Sequence, residues 1–238
     1  MKIYILILII FLNSFIGIYS QQSIIATYKI FQLKEFDNKN DDKAEEEYAK
    51  KLLNEALELS KEFEFNLLIN HEESLFQINN FLINEGSSNE TYYNIALAML
   101  RYGIYYQNVK EDICIKSVEI SGQMLRIQDN LFKDWIIKDN YKKIGKFNCQ
   151  KAVFNCENCK MKTEVWFTQN LSFPFGPLGY GGLPGLIIEI DFDLYKISLV
   201  KLETKKIDSI IKPAEGKLMT VDEYEIWTKE IREKIKGN

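Results

Sequence analysis

A single histidine, His71, stands in a chain of 238 residues. A Ser-His-Asp hydrolase would have to pass through it, and no G-x-S-x-G accompanies it. Glu72 and Glu73 follow directly, so His71 reads as a solvated turn residue. Charge of one sign is also scarce. Thirty basic residues face 34 acidic ones, a net of −4, which gives no electrostatic footprint for nucleic acid. Long apolar runs are nearly absent. Only Ile3–Phe11 is unbroken, and Asn13 and Ser14 follow it, whereas a spanning helix needs ~18 apolar residues. With Lys2 before that run and Ser20 ahead of Gln21, residues 1–20 read as a signal peptide cut at Ser20–Gln21. No cysteine follows the cut, so a lipid anchor is not expected. The mature chain, 21–238, then forms one domain without a transmembrane segment.

Cysteine is limited to Cys114, Cys149, Cys156 and Cys159. An even count in an exported chain suggests disulfides, and four cysteines allow three pairings. Cys156-Glu157-Asn158-Cys159 falls at an expected hairpin tip. A local Cys156–Cys159 bond there would favour Cys114–Cys149 as the second. Free thiols are an alternative, and so is a thiol-redox or metal-handling role for Cys156, Cys159 and Cys149. A redox C-x-x-C starts a helix, whose dipole lowers the thiol pKa, and a hairpin tip lacks that help. There is no second C-x-x-C and no histidine nearby, so a metal site is not expected.

Glycine and proline are few, 12 and 4, but concentrated. GPLGYGGLPG, Gly176–Gly185, holds five of the glycines and two of the prolines. Phosphate cradles run from glycines into a helix, whereas here the glycines lead into an alternating strand. No residue pattern calls for a cofactor, and no catalytic residue is assigned. Pro184-Gly185 suits the centre of a type II turn, which demands φ > 0 at Gly185. In the strand that follows, Leu186, Ile188, Ile190 and Phe192 are expected to face the core. Glu189, Asp191 and Asp193 are expected on the opposite, solvated face.

The remaining elements follow from periodicity. Ser23–Leu33 is a strand. Tyr48, Leu52, Ala56 and Leu59 mark an amphipathic helix, with Glu46/Lys50 and Glu47/Lys51 pairs on its outer face. Ser87-Ser88-Asn89 caps a second, short helix. Thr220 and Glu223 form a capping box before a C-terminal helix. Between them lie many short strands, Phe63–Asn70 and Ser74–Ile78 first, then Ile104–Val109, Cys114–Ile120, Met124–Gln128, Trp135–Lys138, Lys146–Phe154, Met161–Thr168 and Tyr195–Leu202. This order is that of an α+β domain on an antiparallel β-sheet.

Gly182-Leu183-Pro184-Gly185-Leu186-Ile187 resembles the signature of the GLPGLI family of exported Bacteroidota proteins. Trp166–Pro177 (WFTQNLSFPFGP) is similar to the family's aromatic approach to this motif. Trp135–Ala152 (WIIKDNYKKIGKFNCQKA) is similar to its preceding segment, and GKLMTVDEYE from Gly216 to its closing one. Cys156 and Cys159 are not part of that pattern. The resemblance implies export to the periplasm or cell surface and a shared fold, and it brings no activity or cofactor. The element order is also similar to curved antiparallel sheets that cradle lipid or lipoprotein chains. The resulting expectation is a non-enzymatic envelope module that takes an apolar ligand or an envelope-protein segment on a curved sheet. Phe173, Phe175, Tyr180 and Leu183 would form the ligand rim.

Overall fold

Segments rich in Ile, Tyr and Phe pair edge to edge because their alternate side chains need a common apolar surface. In the computed structural model these strands are β1 (Ser23–Gln32), β2 (Glu64–Ile69), β3 (Glu73–Ile78), β4 (Ile104–Asn108), β5 (Ile113–Ile120) and β6 (Gln123–Asp129). They continue with β7 (Trp135–Ile144), β8 (Phe147–Phe154), β9 (Glu164–Thr168), β10 (Leu186–Asp191), β11 (Tyr195–Lys205) and β12 (Lys217–Thr220). Helices are α1 (Ala44–Ser60), α2 (Ser88–Met99) and α3 (Val221–Lys236). The described residues are 23–32, 44–79, 88–100, 102–120, 122–154, 163–192, 194–207 and 209–236. The signal segment 1–20, Cys156, Cys159 and Asp193 lie outside them.

Among the described residues all twelve strands form one sheet, in the order β12-β6-β5-β4-β3-β2-β1-β11-β10-β9-β8-β7. The chain is thus α+β on a large, mostly antiparallel sheet. One pair departs from that rule, since β12 runs parallel to β6, with Lys217 opposite Leu125 and Thr220 opposite Gln128. The strap after β11 explains the direction. Ile210 and Ile207 pack on Tyr106 and Ile115, and the Arg126 guanidinium donates to the carbonyls of Pro213 and Gly216 at 3.5 and 3.2 Å. The chain therefore crosses the sheet before β12 begins.

One sheet face carries the main core. Tyr28, Ile30, Phe65, Leu67, Phe76, Val165, Phe167, Ile190 and Ile197 are buried there, and Ala56, Leu57 and Ala96 of the helices, with Leu100 just after α2, join the same cluster. Ring contacts such as Phe65–Phe76, stacked at 5.5 Å, knit it together. The opposite face is polar over the central strands, where Lys29 pairs with Glu64 at 3.0 Å.

Strand β10 does not alternate as its sequence suggests. Its register against β9 shifts between Ile187 and Glu189, so that Ile187 opposes Phe167 and Ile190 opposes Val165. Paired residues share a face, so this bulge turns Ile187 as well as Ile190 onto the core side. Leu186, Ile187, Ile188 and Ile190 are all fully buried. Glu189 is buried too, which overturns its expected solvated position.

Candidate functional site

The glycine-rich loop is tied by hydrogen bonds to several strands of the sheet. Pro177–Gly179 makes a single 3-10 turn, closed by the Tyr180 N–H on the Pro177 carbonyl at 3.1 Å. The Gly182 N–H then donates to Pro174 at 2.9 Å, Leu186 to Leu171 at 2.9 Å and Ile187 to Phe175 at 3.1 Å. Three successive loop carbonyls each take a side-chain donor. The Cys114 thiol approaches Gly179 O at 3.6 Å, Gln107 Nε2 reaches Tyr180 O at 3.3 Å, and Trp135 Nε1 reaches Gly181 O at 2.8 Å. Those donors belong to β5, β4 and the edge strand β7. Tyr28 adds its hydroxyl to Ile187 O at 2.6 Å from the centre of the sheet, and burial pushes that hydroxyl's pKa well above its ordinary value.

Positive φ is found at Gly179 (76°) and Gly182 (83°), and not at Gly185. The expected type II turn centred on Pro184-Gly185 is therefore not formed. Gly185 is required for a different reason. A Cβ there would stand 2.1 Å from the Thr168 carbonyl oxygen, so the loop backbone lies directly on the end of β9. Leu183, Leu186 and Ile187 of the motif are buried, while Pro184 is exposed.

The expected ligand rim is an interior surface. Phe175 and Leu183 are fully buried, and Phe173 and Tyr180 are half-buried against the same core. The Tyr180 ring meets Trp135, Phe154 and Phe192 at 6.1 to 6.5 Å. Clefts lie instead at the β12 end. One of about 500 Å³ is lined by Gln128, Asp129, Thr220 and Asp222, and a smaller one of about 230 Å³ by Lys217, Ile226 and Trp227.

Cys114 and Cys149 are free and buried, so the expected Cys114–Cys149 disulfide is not formed. They sit on β5 and β8, with seven strands between them in the sheet order. Burial pushes the Cys114 thiol up to about 12 and the Cys149 thiol up to about 11. A thiolate is the reactive form, and burial of Cys149 disfavours it. Among the described residues no three His, Cys, Asp or Glu side chains gather as a metal site requires.

Two polar clusters remain. Lys142 Nζ and Lys196 Nζ each take one oxygen of the buried Glu189, at 2.6 and 3.1 Å. Lys142 also lies over the Trp166 ring, 4.2 Å from its centroid. Burial alone would raise the Glu189 pKa, but the hydrogen bonds and charges of Lys142 and Lys196 outweigh it and hold the carboxyl below its usual range. A glycosidase acid needs the opposite shift, so this carboxylate is a buried counter-ion. Around the β2–β3 turn, Glu73 accepts from the Tyr106 hydroxyl and from Asn108 Nδ2 at 3.4 Å. Burial and the Glu73 carboxylate push Tyr106 up to about 12. His71 is exposed at that turn.

The last feature is the open edge. Among the described residues strand β7 is the terminal strand of the sheet, and Ile136 through Tyr141 are exposed on both faces. Ile136, Ile137 and Tyr141 are 42, 45 and 68% exposed. The sequence expectation ended this strand at Lys138. WIIKDNYKKI lacks a period of two, and the only signal for the longer strand is the turn Gly145-Lys146 that closes its hairpin with β8.

The fold resembles that of PNGF-II. Its structures in space groups C2 and P21 match this chain at 13 and 14% identity, each with a TM-score of 0.53. The matches cover 87 and 86% of this chain and 33 and 32% of PNGF-II, so the chain spans about a third of that protein's length. The likeness is one of fold. No family model matches the chain, and neither does any curated protein.

Proposed function

We propose that the mature chain is an exported, non-enzymatic binding module of the cell envelope, of the GLPGLI kind, which holds a segment of a partner protein on a curved sheet. The observation that carries this reading is the contrast between loop and edge. The glycine motif is consumed inside the fold by Gln107, Cys114, Trp135 and Tyr28. The terminal strand β7 keeps Ile136, Ile137 and Tyr141 outside. Curvature is supported by the loop's partners, because β4 and β7 stand far apart in the strand order yet both reach successive loop carbonyls. Export is supported by Lys2 and the Ile3–Phe11 run. A partner segment is favoured over an apolar ligand because the aromatic side chains expected to receive a ligand pack against one another.

The test uses the full chain with a C-terminal tag. Cells are fractionated, the envelope form is sequenced from its N-terminus, and native mass spectrometry reports what remains bound. The reading expects a start at Gln21 and a bound polypeptide. A chain that keeps Met1 and stays in the cytoplasm overturns the export reading. An exported chain that carries no other molecule overturns the binding reading.

A further inference from the structure

The β7 edge has a direction, a charge and a set of free backbone groups. Gly145 and Lys146 form a two-residue turn, so the flanking pair Ile144–Phe147 exchanges both backbone hydrogen bonds. Alternation then makes Lys143–Asn148 and Tyr141–Gln150 the pairs that do not. The Asn148 carbonyl fits this, since it accepts from Thr168 Oγ1 on the other side at 2.9 Å. It follows that the N–H and C=O groups of Tyr141 and Lys143 point away from the sheet. Between Ile137 and Tyr141 the register slips, and Gln150 Nε2 takes the Lys138 carbonyl at 2.9 Å. The usable edge is therefore short, Tyr141 to Ile144.

Its charge is positive. Lys142 is neutralised by Glu189. Lys138, Lys143 and Lys146 make no ion pair among the described residues, and Asp139 is the only acidic residue of the strand. Tyr141 and Ile137 supply exposed apolar surface beside these charges. A second copy of this chain fits poorly. Within Tyr141–Ile144, antiparallel self-pairing has to join outward-facing residues, so it centres on Lys142 or Lys143 and sets that lysine opposite its own copy, and like charges directly opposite are destabilising. Tyr141 and Lys143 lie two apart on one face of β7, so an extended segment whose acidic and apolar residues alternate at i and i+2 along that face meets both. Its backbone adds to Tyr141 and Lys143, a carboxylate meets Lys143, and an apolar side chain two residues along covers Tyr141.

We infer that β7 accepts an acidic, extended polypeptide as a thirteenth strand, an assignment that rests on the binding-module reading and names its partner chemistry. The probe is a capped decapeptide repeating Glu-Glu-Val-Val, which alternates Glu and Val along each face, with a fluorophore, and a Lys-Lys-Val-Val peptide is the control. Anisotropy is read against the full mature chain at low and high salt. The Glu/Val peptide binds, weakens at least tenfold as salt rises, and the Lys/Val peptide does not bind. Tyr141→Pro removes an outward N–H without touching the β8 ladder, a position where an edge strand tolerates proline. It lowers affinity at least tenfold, with the circular dichroism melt as the check on folding. Lys143→Glu gives the same loss without altering the backbone and restores nothing to the Glu/Val peptide. Equal binding of both peptides, no binding of either, or full binding by both variants overturns the inference. So does a dimer that Tyr141→Pro dissociates, which would make a second copy the occupant. A polypeptide retained by the exported Tyr141→Pro protein would overturn the edge assignment while leaving the binding-module reading in place.

Discussion

Replacing Gly185 with alanine separates two accounts of the glycine loop. The added Cβ would meet the Thr168 carbonyl oxygen at 2.1 Å, its carbon at 2.7 Å and the Gln169 Cα at 3.1 Å. All three are backbone atoms, so no rotamer change relieves the contact, and either the loop or the end of β9 has to move by about 1 Å. Overpacking in a well-packed interior costs about 1–3 kcal/mol, and a clash with backbone belongs at the top of that range. At about 2–4 °C per kcal/mol for a domain of this size, about 3 kcal/mol lowers the melting temperature by about 6–12 °C. The assay is thermal unfolding by circular dichroism, with Gly185→Asn beside Gly185→Ala. Asparagine tolerates positive φ better than alanine but is larger, so at Gly185 it should be no better than alanine. At Gly182, where φ is 83°, the backbone conformation itself penalises alanine. A Gly185→Ala protein that melts within about 1 °C of the parent would refute the seating of the loop on β9. Rescue by asparagine at Gly185 would restore the type II turn.

The Glu189 cluster and the thiols give two further expectations. Glu189→Gln should cost about 1–3 kcal/mol at neutral pH, short of a fully buried pair because both lysines keep a third of their side chains in water. The folded-state pKa of Glu189 lies below its unfolded value of about 4.3. Its stabilisation is therefore present above that value and lost as pH falls through the folded pKa. The gap between parent and Glu189→Gln, measured by urea unfolding, should close in acid, and a gap that stays constant from pH 7 to pH 3 would contradict the ion-pair account. In a Cys156→Ser/Cys159→Ser background, Cys114 and Cys149 should resist a thiol reagent at pH 8 until denaturant is added. Labelling of either within minutes in the native state would show that its burial is wrong.

What the sequence made legible was local. Thr220 and Glu223 stand three residues apart and form the reciprocal cap, with Thr220 N–H on Glu223 at 2.7 Å and Glu223 N–H on Thr220 Oγ1 at 3.2 Å. The β10–β11 hairpin was readable because both strands and their turn lie within twenty residues. Glu189 was misread because a bulge breaks the alternation of its strand and because Lys142, its partner, lies 47 residues away. The only hint was an acidic residue set between isoleucines on both sides. The Cys114–Cys149 pairing failed because parity of count carries no information about which strands are neighbours. The parallel β12 depended on a strap whose path is fixed by Arg126, far off in sequence. The burial of Phe175 and Leu183 was not legible, because aromatic and apolar side chains around a glycine loop have the same composition whether they line a cavity or fill one.

Strand β1 lies at the middle of the sheet, between β2 and β11, although it comes first among the described strands. It meets Lys205 at Ser23 and Tyr195 at Gln32, partners 182 and 163 residues further along the chain. Loop-closure entropy has to be met before such a pairing returns any free energy. During synthesis the central seam cannot form until β11 has emerged, and until then both β1, along Ala26–Ile30, and β10 lack one of their two neighbouring strands. Folding of this protein is therefore set by its slowest, longest-range closure. A nascent chain stopped short of residue 195 would hold two separate half-sheets with an exposed apolar seam, the kind of species that chaperones retain.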